Sequence, residues 1–141
     1  MKKSRLAKII MSLVMVFATS FMLFGCGSEP KTFEDYANSN TELQEELDKI
    51  AEQNSSSLGK MGVDIKENEV IYSFTYSQTY TAEEVTMIKP TLEKTMETMS
   101  SSFEGIAKQL ETETEITGIT VTVVYNNGDG SELFKQTYSA K

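Results

Sequence analysis

The sequence predicts an α+β domain of two layers, in which two helices pack on one face of an antiparallel four-stranded sheet. Two observations predict this class. Apolar residues recur every three or four positions in two segments, as on amphipathic helices, and they alternate with polar residues in two other regions, as in β-hairpins. Each helical segment precedes one hairpin, which gives the order α-β-β-α-β-β. We expect residues 32–141 of the 141-residue chain to form this single domain.

Residues 1–25 have the layout of a lipoprotein signal peptide. Four basic residues lie among the first eight, and the 16 residues 9–24 are apolar apart from a few small polar side chains. This order is typical of an export signal, and the apolar run is shorter than the roughly 20 residues of a spanning helix. Residues 23–26, Leu-Phe-Gly-Cys, resemble the lipobox of bacterial lipoproteins.

The resemblance to a lipobox implies a lipid anchor at Cys26. In such signals the Cys is thioether-linked to diacylglycerol and becomes the new N-terminus after cleavage. We therefore expect Cys26 to be the lipidation site and residues 26–31, which include Pro30, to form a short polar tether. The alternative interpretation is an uncleaved anchor helix that carries an unmodified Cys26.

The composition excludes several chemistries. Cys26 is the single Cys of the chain, so no internal disulfide can form, and the absence of His removes His-based catalytic triads and the common zinc sites. After residue 25, nine basic residues stand against 21 acidic ones, a net charge of −12. Such a domain repels phosphate backbones, and we expect no nucleic-acid partner.

The first half of the domain is predicted to contain one helix and one hairpin. Residues 32–36 start a short helical turn, and residues 41–53 form a helix that Thr41 caps. Residues 61–76 alternate apolar and polar side chains, with an interruption at the polar residues 67–69. That pattern predicts a β-hairpin.

The second half opens with the clearest structural signal, a long helix that begins at a capping box of Thr81 and Glu84. Eight apolar residues at spacings of three and four form one stripe: Val85, Ile88, Leu92, Met96, Met99, Phe103, Ile106 and Leu110. Along the stripe the second apolar position of each heptad moves from d at Ile88 to e at Leu110, as in a straight helix with 3.6 residues per turn. A supercoiled helix pair would keep this position at d, so a sheet is the favoured partner. Pro90 lies well inside this helix, where we expect a kink or a restart.

A second hairpin follows the long helix. Residues 119–125 alternate in the same way, and residues 132–138 return as the last strand. Between them, residues 126–130 (Asn-Asn-Gly-Asp-Gly) are of types that accept a positive φ, as a hairpin turn requires. The two hairpins are expected to pair into one antiparallel sheet.

Six short segments carry a resemblance to a known family. They are residues 32–36 (TFEDY), 42–46 (ELQEE), the hairpin at 67–68, 103–107 (FEGIA), 118–121 (GITV) and 127–130 (NGDG). On these segments the mature chain resembles small lipoproteins of Gram-positive, clostridial-type bacteria that are known as a domain of unknown function. Pro90 departs from the family, since an ordinary helical residue is expected there. The resemblance implies an anchored extracytoplasmic domain and transfers no catalytic residue.

The second turn offers oxygens that would suit a calcium ion. They belong to Asn127, Asp129, Ser131 and Glu132. Their spacing is not that of an EF-hand, and a hairpin turn explains the same residues. The turn is the preferred interpretation, and we expect no bound metal.

The aromatic and methionine residues form two further groups with a possible binding role. The tyrosines are Tyr72, Tyr76, Tyr80, Tyr125 and Tyr138, and the methionines are Met61, Met87, Met96 and Met99. The tyrosines could form a platform for a glycan or a peptide, and the methionines a groove for an apolar ligand. Core packing is preferred for both groups, because aromatic residues favour strands and most of the methionines lie on faces predicted to be buried.

An enzyme is the least favoured class of function. Ser100, Ser101 and Ser102 are possible nucleophiles, but they lie within the long helix and lack a nucleophile elbow. We expect no catalytic residue and no cofactor.

The sequence as a whole predicts a non-enzymatic binding or accessory lipoprotein at the extracytoplasmic face of the cell membrane. Its membrane contact is the lipid on Cys26, and its protein, cell-wall or small-molecule partner is left open. The alternative function is that of a carrier for a small molecule or a metal ion.

Overall fold

The computed structural model describes residues 32–141, which form helices on one face of a four-stranded sheet. The elements in chain order are α1 (Phe33–Ser39), α2 (Thr41–Asn54), β1 (Gly59–Lys66), β2 (Glu69–Tyr76), α3 (Ala82–Thr114), β3 (Thr120–Asn126) and β4 (Glu132–Ser139). The order α-α-β-β-α-β-β contains one helix more than the sequence predicts. The predicted signal peptide, the lipidation of Cys26 and the tether lie outside the described residues.

The four strands form one mixed sheet in the order β1-β2-β3-β4. Both hairpins are antiparallel as predicted, but β2 and β3 run parallel, with Val70 opposite Val121 and Phe74 opposite Tyr125. The predicted antiparallel sheet is therefore wrong at its centre. The connection is the reason, because α3 carries the chain back along the sheet and β3 then starts at the same end as β2.

The two N-terminal helices begin at caps that the sequence locates only in part. The Thr32 hydroxyl accepts a hydrogen bond from the N–H of Asp35 at 3.1 Å, and the Asp35 carboxylate accepts one from the Thr32 N–H at 3.2 Å. This capping box extends the predicted turn into α1. Asn40, and not Thr41, caps α2, because its side-chain oxygen accepts a hydrogen bond from the N–H of Leu43 at 3.1 Å.

Helix α3 is continuous over 33 residues and passes through Pro90, so the expected restart does not occur. The capping box of Thr81 and Glu84 is confirmed. Pro90 removes one backbone donor, which would otherwise bond to the carbonyl of Thr86. Both residues are exposed, so that carbonyl can bond to solvent while the turns on either side keep their hydrogen bonds.

The core lies between the helices and one face of the sheet. Alternate residues of the strands supply one side, and α1, α2 and the part of α3 from Leu92 to Leu110 supply the other. Its most deeply buried members include Val70, Tyr72, Val121 and Tyr125 of the sheet and Leu43, Phe103 and Leu110 of the helices. On the opposite, polar face of the sheet the Thr122 hydroxyl contacts the side chains of Glu69 and Thr137.

Two asparagines fix the two ends of the sheet. At one end, the side chain of Asn68 accepts a hydrogen bond from the N–H of Phe33 at 2.9 Å, and its carbonyl accepts one from the N–H of Thr120 at 2.9 Å. At the other end, Asn127 accepts from the N–H of Tyr80 at 2.7 Å and donates to the Tyr80 carbonyl at 2.9 Å. We call these the Asn68 end and the Asn127 end. The first holds the start of α1, and the second holds the start of α3.

Candidate functional site

An open groove of about 700 Å³ runs between the N-terminal half of α3 and strand β4. From α3 it is lined by Lys89, Glu93, Met96, Glu97 and Ser100. From β4 it is lined by Glu132, Leu133, Phe134, Lys135, Gln136 and Tyr138. The helix residues recur at spacings of three and four, which places them on one face of α3.

The floor of the groove is apolar and well supported. Met96 and Leu133 are buried, and Tyr138 is only 6% exposed. The Tyr138 hydroxyl donates a hydrogen bond to the Met96 carbonyl at 3.3 Å, and its ring stacks on Phe103 with the centroids 5.0 Å apart. Burial, with a smaller contribution from the Glu104 carboxylate, raises the pKa of Tyr138 to about 12, so this hydroxyl remains a donor at neutral pH.

Five charged residues line the groove, and all five are exposed. Lys89, Glu93 and Glu97 come from α3, and Glu132 and Lys135 come from β4. Within residues 32–141, none of the five makes an ion pair or a side-chain hydrogen bond. A charged partner can therefore contact them without displacing an internal interaction.

Strand β4 is an edge of the sheet, and part of its backbone faces outward. The N–H of Thr120 bonds toward β2. Because backbone groups alternate along a strand, those of Val121 point toward β4, where Tyr138 lies opposite. The backbone groups of Lys135 and Thr137 then point away from the sheet, and in the part of the chain that the structure describes nothing bonds to them.

The other edge of the sheet, β1, is partly closed by its own chain. The same alternation directs the backbone groups of Gly59 and Met61 outward. Gly59 exchanges two hydrogen bonds with Ser56, at 2.9 and 3.1 Å, and the N–H of Met61 donates to the Ser55 hydroxyl at 3.0 Å. The two edges therefore differ, and β4 is the one that is open along the groove.

A β-bulge shapes the β4 side of the groove. Tyr125 lies opposite Phe134 and Asn126 lies opposite Glu132, which leaves Leu133 as an extra residue on β4. Bulges increase the twist of a strand and re-aim its side chains. Here Leu133 turns into the core, 5% exposed, while Phe134 stays half-buried in the groove.

The loop between β3 and β4, which could also have been a calcium site, is a hairpin turn. The N–H of Gly130 donates to the Asn127 carbonyl at 2.9 Å. The Asp129 carboxylate accepts hydrogen bonds from the hydroxyl and the N–H of Ser131, which hold the pKa of Asp129 below its usual value. The side chain of Asn127 is buried and bonded to the segment before α3. The predicted turn is confirmed, and Glu132 belongs to the groove instead.

The five tyrosines do not form one surface platform. Tyr72, Tyr125 and Tyr138 are buried, and burial raises the pKa of Tyr72 and Tyr125. Tyr76 and Tyr80 are half-buried and meet edge to face, with their centroids 5.2 Å apart. Burial, followed by the effect of Tyr80, raises the pKa of Tyr76 to about 12. Core packing is thus confirmed for three of the five.

The methionines are also divided. Met96 is buried, Met61 and Met99 pack against the core while partly exposed, and Met87 is 70% exposed. Core packing is therefore confirmed for Met96, and Met87, which lies outside the predicted apolar stripe, is exposed. Of the serines of α3, Ser100 lies on the wall of the groove, where its hydroxyl donates to the Glu97 carbonyl at 2.9 Å.

Sequence reasoning missed the groove because no single segment signals it. The groove requires β4 to be an edge strand and α3 to lie beside it, and both facts follow from the strand order. One local signal was present, since Lys89, Glu93 and Glu97 recur every four residues next to the apolar stripe.

A family model described as domain of unknown function DUF4854 matches residues 33–138. The chain belongs to this family. The match confirms the resemblance to a domain of unknown function, and the DUF4854 region contains every residue of the groove.

Two further comparisons give little similarity. The search of curated proteins found no match. A crystal structure from Pseudomonas aeruginosa, of a protein provisionally described as secreted, aligns at 14% identity with a TM-score of 0.46, covering 82% of this chain and 96% of that chain. Among the described residues, no helix combines the length and the apolar character needed to cross a bilayer.

Proposed function

We propose that this DUF4854 protein is a lipid-anchored, non-enzymatic binding protein on the extracytoplasmic face of the cell membrane. It recognises a partner protein through the α3–β4 groove. The observation that carries the proposal is the combination of an open strand edge at Lys135 and Thr137 with unpaired charges at Glu93 and Glu97 along the same groove. The unpaired backbone groups of an edge strand can pair with a strand of another chain, and proteins normally cover or shorten such strands. A groove next to an open edge strand is therefore suited to the recognition of another chain.

The lipid anchor rests on the lipobox-like residues 23–26, as in the Gram-positive lipoproteins that the sequence resembles. A domain with a net charge of −12 is not attracted to anionic lipid headgroups, so electrostatics cannot assist the anchor. Two acyl chains on Cys26 would therefore be needed for stable membrane attachment. The six residues 26–31 span at most about 20 Å. Because Thr32 lies at the Asn68 end, an anchored domain keeps that end toward the membrane and turns the Asn127 end outward.

A non-enzymatic role is supported by the state of the candidate nucleophile and by the filled core. The hydroxyl of Ser100 is engaged within the helix by the Glu97 carbonyl. Tyr72, Met96 and Tyr125, each no more than 3% exposed, occupy the space between helices and sheet in which a carrier would need a cavity. Small-molecule sites typically bury about 70–90% of their ligand, whereas this groove is open along its length. A carrier remains the alternative.

The groove is tested by site-specific photo-crosslinking of the full-length protein in cells. A photoreactive amino acid replaces Gln136, an exposed groove residue of β4, and in the control it replaces Gln53, an exposed residue of α2. We expect a discrete adduct with a partner protein from position 136 and none from position 53. The same adducts from both positions, or none from position 136, would reject the groove as the binding surface.

The anchor is tested separately by labelling with a fatty-acid analogue and by intact mass. We expect label on the wild type, loss of label in Cys26→Ala, and a mature chain that lacks residues 1–25. Proteolysis of intact cells should remove the domain. Label that persists in Cys26→Ala, or a membrane-bound protein that keeps residues 1–25, would establish the uncleaved anchor helix instead.

A further inference from the structure

We propose that the partner contributes an extended basic segment that adds to the open edge of β4 as a fifth strand, with two Lys or Arg side chains against Glu93 and Glu97. This inference rests on the proposed function, because it names the chemistry of the chain that the groove takes. It follows from three properties of the groove: its free backbone groups, the spacing of its carboxylates and its charge.

The free backbone groups suit an added strand. Those of Lys135 and Thr137 point outward, lie two residues apart and are unbonded within the described chain. A strand added at an edge makes its hydrogen bonds at this two-residue repeat. On the opposite edge both backbone groups of Gly59 and the N–H of Met61 are already bonded, so a strand added along the whole of β1 would displace existing bonds, whereas one added at Lys135 and Thr137 would not.

The spacing of the carboxylates matches that of alternate residues in an extended peptide. Glu93 and Glu97 are four residues apart on α3, or about 6 Å along the helix. Residues i and i+2 of a strand are about 6.6–6.8 Å apart and point to the same side. Two basic side chains separated by one residue can therefore reach both carboxylates together. Lys89, one turn earlier on the same wall, disfavours a third basic residue in the series.

The charge of the groove favours a basic peptide over a second copy of this chain. Three acidic and two basic residues line it, and the chain after residue 25 carries −12. This field attracts a basic segment at low and physiological salt. Pairing the β4 edges of two copies would bring two domains of the same net charge together, which costs association energy.

The charge readout uses the full mature lipoprotein in zwitterionic detergent micelles and fluorescent octapeptides of Thr and Val that carry two Lys residues at alternate positions. We expect saturable binding that weakens at least tenfold when both Lys residues are replaced by Glu. In the double variant Glu93→Lys with Glu97→Lys, the preference should reverse toward the Glu peptide. The matched control, Glu42→Lys with Glu45→Lys on the exposed face of α2, should change the affinity less than twofold.

The backbone readout separates strand addition from simple electrostatic association. Two peptides are prepared, one N-methylated at the odd-numbered amides and one at the even-numbered amides. In an added strand one of these sets points toward β4 and the other points away from it. We expect binding to be lost in the register that faces β4 and to change less than threefold in the other. Bound peptide should also slow amide hydrogen exchange at Lys135 and Thr137, which an electrostatic encounter would leave unchanged.

Several outcomes would overturn the inference. They are equal affinity for the Lys and Glu peptides, equal effects of the two N-methylation registers, and a concentration-dependent dimer that protects the Lys135 and Thr137 amides without peptide. The last outcome assigns the edge to a second copy. If Gln136 crosslinks to a partner protein while the peptides fail, this inference is wrong and the proposed function stands. If the crosslink fails as well, both are wrong.

Discussion

The two halves of α3 carry the same apolar stripe but differ in how much of it is covered. In the C-terminal half, Phe103, Ile106 and Leu110 are at most 5% exposed. In the N-terminal half, Leu92 and Met96 are buried, but the first two stripe residues, Val85 and Ile88, are only partly buried, and residues 82–91 contain no buried side chain. The spacing of apolar residues is three and four in both halves. From Leu92 onward α3 is therefore part of the core, whereas residues 82–91 are uncovered. The groove wall, from Lys89 to Ser100, lies across that boundary.

An amphipathic stripe thus identifies the apolar side of a helix, but it does not identify what covers that side. At 1.5 Å per residue the 33 residues of α3 extend about 50 Å, whereas an eight-residue strand extends about 27 Å. The sheet is too short to cover the whole helix. The part that it covers, from Leu92 onward, contributes stability, and residues 82–91 stay exposed.

Alkaline pH is expected to have the largest effect, and it acts on the tyrosines of the core. Burial raises the pKa of Tyr72 and Tyr125, and that of Tyr138 to about 12, whereas tyrosines of the unfolded chain ionise near pH 10. Above pH 10 the unfolded state therefore binds fewer protons than the folded state. The free energy of unfolding should fall as the pH rises from 10 to 12, by up to about 1.4 kcal/mol per pH unit for each such tyrosine.

The measurement is a pH titration that follows tyrosinate absorbance and far-UV circular dichroism together. Ionisation and loss of helix should coincide above pH 10. Ionisation of all tyrosines near pH 10 with the helix signal intact would contradict the burial of Tyr72, Tyr125 and Tyr138 in the core.

Truncation of an apolar residue should separate the two halves directly. Phe103→Ala removes a buried ring that stacks on Tyr138, and we expect it to lower the free energy of unfolding by about 3–5 kcal/mol. Met87→Ala, in the exposed half, should change it by less than about 0.5 kcal/mol. Urea unfolding measures both. Similar losses in the two variants would show that the halves are equally covered.

Replacement of Pro90 should stabilise the exposed half. Pro90→Ala restores one backbone donor and removes a ring that conflicts with the preceding turn, so we expect a gain of about 1–3 kcal/mol in the free energy of unfolding. Slower amide exchange within residues 82–91 should accompany the gain. If the free energy of unfolding is unchanged, the first turns of α3 make no net contribution to folding, and only the covered part of the helix stabilises the domain.

Removal of the helix cap should have the smallest effect and the most local one. Thr81→Ala deletes the hydroxyl that accepts from the Glu84 N–H, a loss of about 1 kcal/mol. Amide exchange should become faster in residues 82–91 and stay the same in residues 103–110. Thr98→Ala, an exposed threonine in the middle of α3, is the matched control and should be neutral or slightly stabilising. Faster exchange throughout α3 would indicate that the helix opens as one unit.

The features that the sequence predicts correctly are those encoded within a few residues. The capping box of Thr81 and Glu84, the apolar stripe of α3 and both hairpins depend on contacts between near neighbours along the chain. Helix α1 continues to Ser39, beyond the predicted turn, and its added residue Ala37 is buried in a core that residues far along the chain complete.

The features that the sequence does not predict depend on the path of the whole chain. Val70 lies beside Val121 in parallel orientation only because α3 reverses the direction of the chain between them. The groove depends on the same path, since it exists only where α3 lies beside the outer edge of β4. Lys89 and Glu93 read as a solvated helix face until that edge is known. For the same reason, the tyrosines could be assigned to the core or to a surface only after the strand order was known.

The Asn68 end determines where a mechanical load enters the domain. A pull on the chain at residue 31 reaches Phe33 first, which is 1% exposed and bonded to Asn68. Next to it, the N–H of Glu34 donates to the Glu67 carbonyl at 2.8 Å, and the Glu34 carboxylate accepts from the Glu67 N–H at 2.7 Å. These bonds pass the tension into the turn between β1 and β2. The first turns of α3, at the Asn127 end, lie outside this path, so a load applied at residue 31 leaves the groove at its resting width.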